Sequence, residues 1–136
     1  MSWDMLLAVL ISGALGSTLR FWLARKWPAA PGRIPRGILI ANLGGSALAG
    51  VFLGASMLVL LPRSWMVVLI AGLCGGLTTF STWAIDSVLA LEAGDRKLAL
   101  RNILITVVGS VLLLAATMLA TLWISVALFA ALLSTP

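Results

Sequence analysis

Three stretches of this chain, from Gly37 to Pro62, from Ser64 to Ile85 and from Asn102 to Pro136, contain no charged residue. Each exceeds the roughly 20 residues that a helix needs to cross the hydrocarbon of a bilayer. A fourth apolar stretch runs from Met5 to about Trp27 and is interrupted near its end by Arg20. A water-soluble domain of 136 residues needs far more polar surface than 10% charged residues supply, and here 62% of the residues are hydrophobic. The chain therefore reads as an all-α, polytopic membrane protein: a single four-helix transmembrane domain over residues 1–136, with spans at about 4–26, 36–61, 64–91 and 98–128.

The connections agree. Pro28, Pro31, Gly32 and Pro35 punctuate the first loop, Pro62 makes the second turn tight, and "EAGD" marks the third. The opening "MSWDM" lacks a basic n-region, so the first segment reads as a retained span. The longest polar connections, Arg25–Gly37 and Glu92–Lys97, leave no room for a soluble domain. Trp3, Trp22, Trp27, Trp65 and Trp123 fall near span ends, where indoles favour the interface; Trp83 does not belong to that set.

Charge placement orients the bundle. The net charge of +5 comes from basic residues at span ends, which suits anionic lipid headgroups and argues against nucleic acid. Loops one and three carry seven of them, Arg25, Lys26, Arg33, Arg36, Arg96, Lys97 and Arg101, against Arg63 alone on the other side. Taken literally, that count puts both termini outside. In span two, Ala41, Gly45 and Ala49, and beside them Ser46, Gly50 and Gly54, recur every four residues and allow close helix contact.

Polar groups at membrane depth are costly and need an account. Asn42 brings an amide into span two, able either to bond another helix or to donate to an anion in a narrow path. Arg20, in "GSTLRFW", either snorkels to the interface or lines a vestibule that concentrates anions. The third span is interrupted by "GLCGGLTTFSTW", residues 72–83. Gly75 and Gly76 can unwind it and free backbone carbonyls, which are natural ligands for a hard monovalent cation. Phe80 and Trp83, three apart, share a helical face, and their electropositive ring edges can attract an anion; packing alone also accounts for such a spacing. Thr79 and Thr82 share a neighbouring face opposite Ser110 of span four, although hydroxyls in spans often bond their own backbone. There is no histidine, no acid pair within a span, and no base beside Cys74 or the hydroxyls, so an enzyme is not expected.

Taken together, "GSTLRF", "ANLGGS" and "GLCGGLTTFSTW" on four spans resemble the CrcB/Fluc family of fluoride channels over essentially the whole chain. The resemblance implies an antiparallel dual-topology dimer in a prokaryotic plasma membrane, the inner membrane in a Gram-negative cell. It implies two fluoride pathways, passive fluoride export and a central structural sodium ion. Residue by residue, it implies that Asn42, Phe80, Trp83, Thr79, Thr82 and Ser110 line the pathway. Arg20 falls to the vestibule, and the backbone carbonyls of Gly75 and Thr78 to the sodium. Trp83 stands where the family usually has a second phenylalanine, and a span-four tyrosine common in the family is replaced near Leu104. Dual topology needs weak orientation signals, and seven against one is strong. Either residues near the helix ends count for less, or a sister chain of opposite charge bias replaces the second copy in the dimer.

Two other classes compete. A small multidrug-type, proton-coupled exporter needs an acid deep in span one, where this chain has Ala14; Asp4 and Asp86 lie near span ends. A non-transporting membrane scaffold would leave the glycines and hydroxyls as packing features.

Overall fold

The computed structural model describes residues 2–57 and 62–134. Four helical stretches are long and apolar enough to cross a membrane, and among the described residues every regular element is helical. The first is α1 (Trp3–Lys26), which stops where Pro28 and Pro31 preclude a continuing helix. The second, α2, runs over Arg36–Ser56 directly after Pro35, which has no N–H to leave unpaired and whose carbonyl accepts the Leu39 N–H at 3.0 Å. The rest of the expected second span, residues 58–61, lies outside the described residues.

The third span is composite. It comprises α3 (Arg63–Met66), a π-helical stretch (Val67–Cys74), α4 (Gly75–Leu77) and, after two non-helical residues, α5 (Phe80–Glu92). The widened π turn coincides with Gly72, where α1 comes so close that an added Cβ would strike the Ser12 hydroxyl. The Ser12 hydroxyl donates across that contact to the Val68 carbonyl at 2.9 Å.

The break is displaced from the position expected for it. Gly75 keeps right-handed helical dihedrals (φ −63°, ψ −39°), and the chain becomes extended at Thr78 (φ −82°, ψ 155°) and Thr79 (φ −146°, ψ 125°). Close packing explains the glycine at position 76: a Cβ there would collide with the Gly13 carbonyl of α1. Its partner position, Gly16, is equally tight against the Leu73 carbonyl.

The fourth span, α6 (Arg96–Ser134), starts two residues before the expected boundary and continues six beyond it. Nothing stops it at the expected boundary, because "WISVALFAALLS", residues 123–134, holds neither glycine nor proline. It packs chiefly on α2, and α1 packs on the first half of the third span. The small-residue rows of α2 are buried as their spacing predicts: Ala41, Gly45, Ala49, Gly50 and Gly54. Gly50 and Gly54 admit the α6 backbone at Leu114 and Met118, and the Thr117 hydroxyl crosses to the Ala47 carbonyl at 2.9 Å.

Loops one and three lie at the same end. A cavity of about 270 Å³ is lined by Ala29–Arg33 and Pro35 from loop one, by Asp95 from loop three, and by Asp86 and Leu89 of α5. Lys26 stacks its ammonium 4.7 Å from the Trp22 ring centroid and 4.8 Å from that of Trp27, a cation–π cluster suited to an interface.

Candidate functional site

Everything at the site follows from how the break at residues 78–79 is held. The backbone groups of Thr79 have left the helix and need partners at membrane depth. Asn42, buried on α2, supplies both: the Thr79 N–H donates to its Oδ1 at 2.7 Å, and its Nδ2 donates to the Thr79 carbonyl at 3.1 Å. Thr79 then caps the restarting helix, its Oγ1 accepting from the Thr82 N–H at 3.3 Å. A sequence in which Asn42 faces Thr79 thus fixes both where the helix stops and where it begins again.

On the other side of the break, α1 holds the end of α4. Arg20 donates through Nε to the Gly76 carbonyl at 3.1 Å, and the Ser17 hydroxyl donates to the same oxygen at 3.4 Å. A cation at a helix C-terminus is electrostatically favoured there. The carbonyls of Gly75, Leu77 and Thr78 accept no hydrogen bond among the described residues.

Next to the break lies a groove of about 340 Å³. Asn42 and Ser46 of α2, Thr78, Thr79, Phe80 and Trp83 of the third span, and Thr106 and Ser110 of α6 line it, with Val107 and Val111 as apolar wall. Six of the residues singled out in the sequence therefore meet at one place: Asn42, Thr78, Thr79, Phe80, Trp83 and Ser110. Thr82 does not line the groove, but its hydroxyl accepts from that of Thr79 at 3.2 Å. Arg20 and Gly75 are absent from the lining.

The groove is uncharged and rich in donors. Asn42 has a second Nδ2 hydrogen beyond the one given to Thr79. The first N–H groups of α5 are unpaired within the helix and point to the break, as at any helix N-terminus. The two aromatic rings lie against each other, centroids 5.0 Å apart and tilted by 58°. Phe80 is 77% exposed, so its ring is open to whatever passes or packs there. Such a surface can take a small anion by hydrogen bonds and ring edges; it holds no nucleophile–base pair.

The sequence reading missed Thr106. It is buried, and its hydroxyl has no partner among the described residues. The signal was present as the four-residue spacing of Asn102, Thr106 and Ser110, which puts all three on one face of α6. Conversely, Leu104, the position given to the missing tyrosine, is 50% exposed and lies outside the groove. Asn102, two residues earlier, is the one that faces Trp83.

Comparison with known proteins agrees with this picture. The family model described as CrcB-like protein, Camphor Resistance (CrcB), matches residues 7–132. The fluoride-specific ion channel FluC of Serratia proteamaculans is 36% identical over 121 residues, covering 88% of this chain and 95% of the relative. That of Marinobacter nauticus is 40% identical over 114 residues, covering 83% and 90%. With a match that takes in all four spans and the groove between them, the chain belongs to the CrcB family, a family of ion channels rather than enzymes.

Proposed function

We propose that this protein is a fluoride-selective channel that lets cytoplasmic fluoride leave passively and so protects the cell from it. The observation that carries the reading is the single groove in which Asn42, Thr79, Phe80, Trp83, Thr106 and Ser110 converge beside a broken helix. Fluoride is small and strongly hydrated, so a narrow path must replace its water with donors. The free Nδ2 hydrogen of Asn42, the unpartnered Thr106 hydroxyl and that of Ser110 are such donors. The names of the relatives point to the same ion.

The working unit is an antiparallel homodimer in the plasma membrane, the inner membrane of a Gram-negative cell. Phe80, exposed beside the break, supports that arrangement, since a partner would complete the groove's open wall. A central sodium ion fits the chemistry present. Among the described residues no group of His, Cys, Asp or Glu can hold a metal. The donor-free carbonyls of Gly75 and Thr78 offer neutral oxygens suited to a hard monovalent cation. When bound, the ion would supply charge that locks two chains together. Arg20 and Ser17 occupy the Gly76 carbonyl and Asn42 that of Thr79, so the chain's own residues take the oxygen next to each of these two and leave those of Gly75 and Thr78 free.

Fluoride efflux from liposomes containing the purified protein tests the reading. A fluoride-selective leak supports it; proton-driven cation exchange, or no flux from a folded protein, overturns it.

A further inference from the structure

An indole N–H at membrane depth needs an acceptor, and Trp83 finds one on another helix. Its Nε1 donates to the backbone carbonyl of Asn102 on α6 at 3.4 Å. The Asn102 side chain donates through Nδ2 to Ser87 Oγ at 2.9 Å, and the Ser87 hydroxyl donates to the Trp83 carbonyl at 2.9 Å. Three residues thus close a ring of hydrogen bonds between α5 and α6. Ser87 and Asn102 are 4% and 3% exposed, and neither lines the groove.

The geometry divides labour within the ring. A helix carbonyl has a second lone pair, so Asn102 accepts the indole without giving up its place in α6. The Asn102–Ser87 bond fixes the height of that carbonyl opposite α5. Trp83 in turn lies against Phe80, centroids 5.0 Å apart. Whatever sets the angle of the indole therefore sets the aromatic wall of the groove.

We propose that Ser87 and Asn102 are positioning residues that hold the Trp83 indole across the groove, so that the wall presents ring edges to the ion while the indole N–H stays occupied. The proposal rests on the reading of the groove as the fluoride path. A ring held from behind keeps one aperture; a ring released from Asn102 can turn, and its N–H becomes a competing donor.

The test uses the full chain in two readouts. The first is fluoride efflux from proteoliposomes. The second is the nuclear magnetic resonance spectrum of the indole N–H groups, in which Trp83 is identified by the signal lost in Trp83→Phe. Ser87→Ala is expected to move the Trp83 signal, leave those of Trp3 and Trp123 in place, and lower flux about three- to tenfold, the scale of one buried hydrogen bond. Ser87→Thr keeps the hydroxyl and should restore both. In a Trp83→Phe background, where no indole needs holding, Ser87→Ala should cost nothing further. An equal loss in both backgrounds would overturn the proposal by making Ser87 a packing residue, and so would an unmoved Trp83 signal. Absence of fluoride flux from the unmodified chain would instead sink the fluoride reading itself.

Discussion

Asn42 and Thr79 are joined twice, the amide of one side chain pairing with both backbone groups of the other residue, at 2.7 and 3.1 Å. A carboxamide has the same donor–acceptor pair as a peptide group, so it can stand in for the helical neighbours that Thr79 lacks. The break in the third span is therefore a feature of two helices, not of one.

That pairing separates two substitutions in the groove. Asn42→Leu strands an N–H and a carbonyl on the half-buried Thr79, and the expected cost is roughly 2 kcal/mol, from two groups left without a protein partner. Phe80→Ile strands nothing, because the ring makes no hydrogen bond and is mostly exposed. Both should lose most fluoride flux, but only Asn42→Leu should also lower the melting temperature in detergent. Normal flux in a folded Phe80→Ile protein would return that ring to packing.

The spans were legible because charge and hydropathy decide what can sit in hydrocarbon, and the groove because its donors stand out there. The position of the break was not. Gly75 and Gly76 look like the weak point of the helix, yet the glycine at 76 answers to the close approach of Gly13, a contact 63 residues away that local sequence does not reveal. The extended conformation falls on Thr78 and Thr79, two ordinary residues, where the Asn42 side chain on α2 pairs with the backbone of Thr79. Thr106 and Asn102 went unremarked for a different reason: an isolated hydroxyl or amide in a long apolar helix gains meaning only when its face is known.

The two glycines consequently predict opposite outcomes. Gly76→Ala forces α1 away from the third span, since the new methyl would meet backbone and not a flexible side chain. Overpacking of this kind costs typically 1–3 kcal/mol. Gly75→Ala meets only the Ile70 carbonyl, at the ordinary contact distance of 3.6 Å, so the single chain should fold normally. Thermal unfolding in detergent compares them, and equal destabilisation would contradict this packing.

Orientation tests the dimer. Seven basic residues on loops one and three against Arg63 predict both termini outside by the positive-inside count. An antiparallel homodimer requires C-terminal tags on both membrane faces in comparable amounts. Tags on one face, with no flux from the purified chain, would point to a sister subunit of opposite bias. Tags on one face with robust flux would exclude the antiparallel arrangement.

Sodium dependence closes the argument because it depends on backbone that the chain leaves free. Gly75 and Thr78 offer carbonyls without donors, while their neighbours Gly76 and Thr79 are claimed by Arg20 and Asn42. If these free oxygens hold an ion between two chains, the side chain at position 78 matters little. Thr78→Ser keeps the hydroxyl that donates to the Cys74 carbonyl at 3.0 Å and should retain dimer and flux. Gly75→Ala, harmless within one chain, should weaken dimerisation if its exposed face meets the partner. Exchanging sodium for a bulky organic cation during purification should lower flux and dimer stability together, since such a cation cannot enter a cage of carbonyls. Flux and dimerisation indifferent to sodium would leave those carbonyls as solvated helix ends and refute the proposed ion.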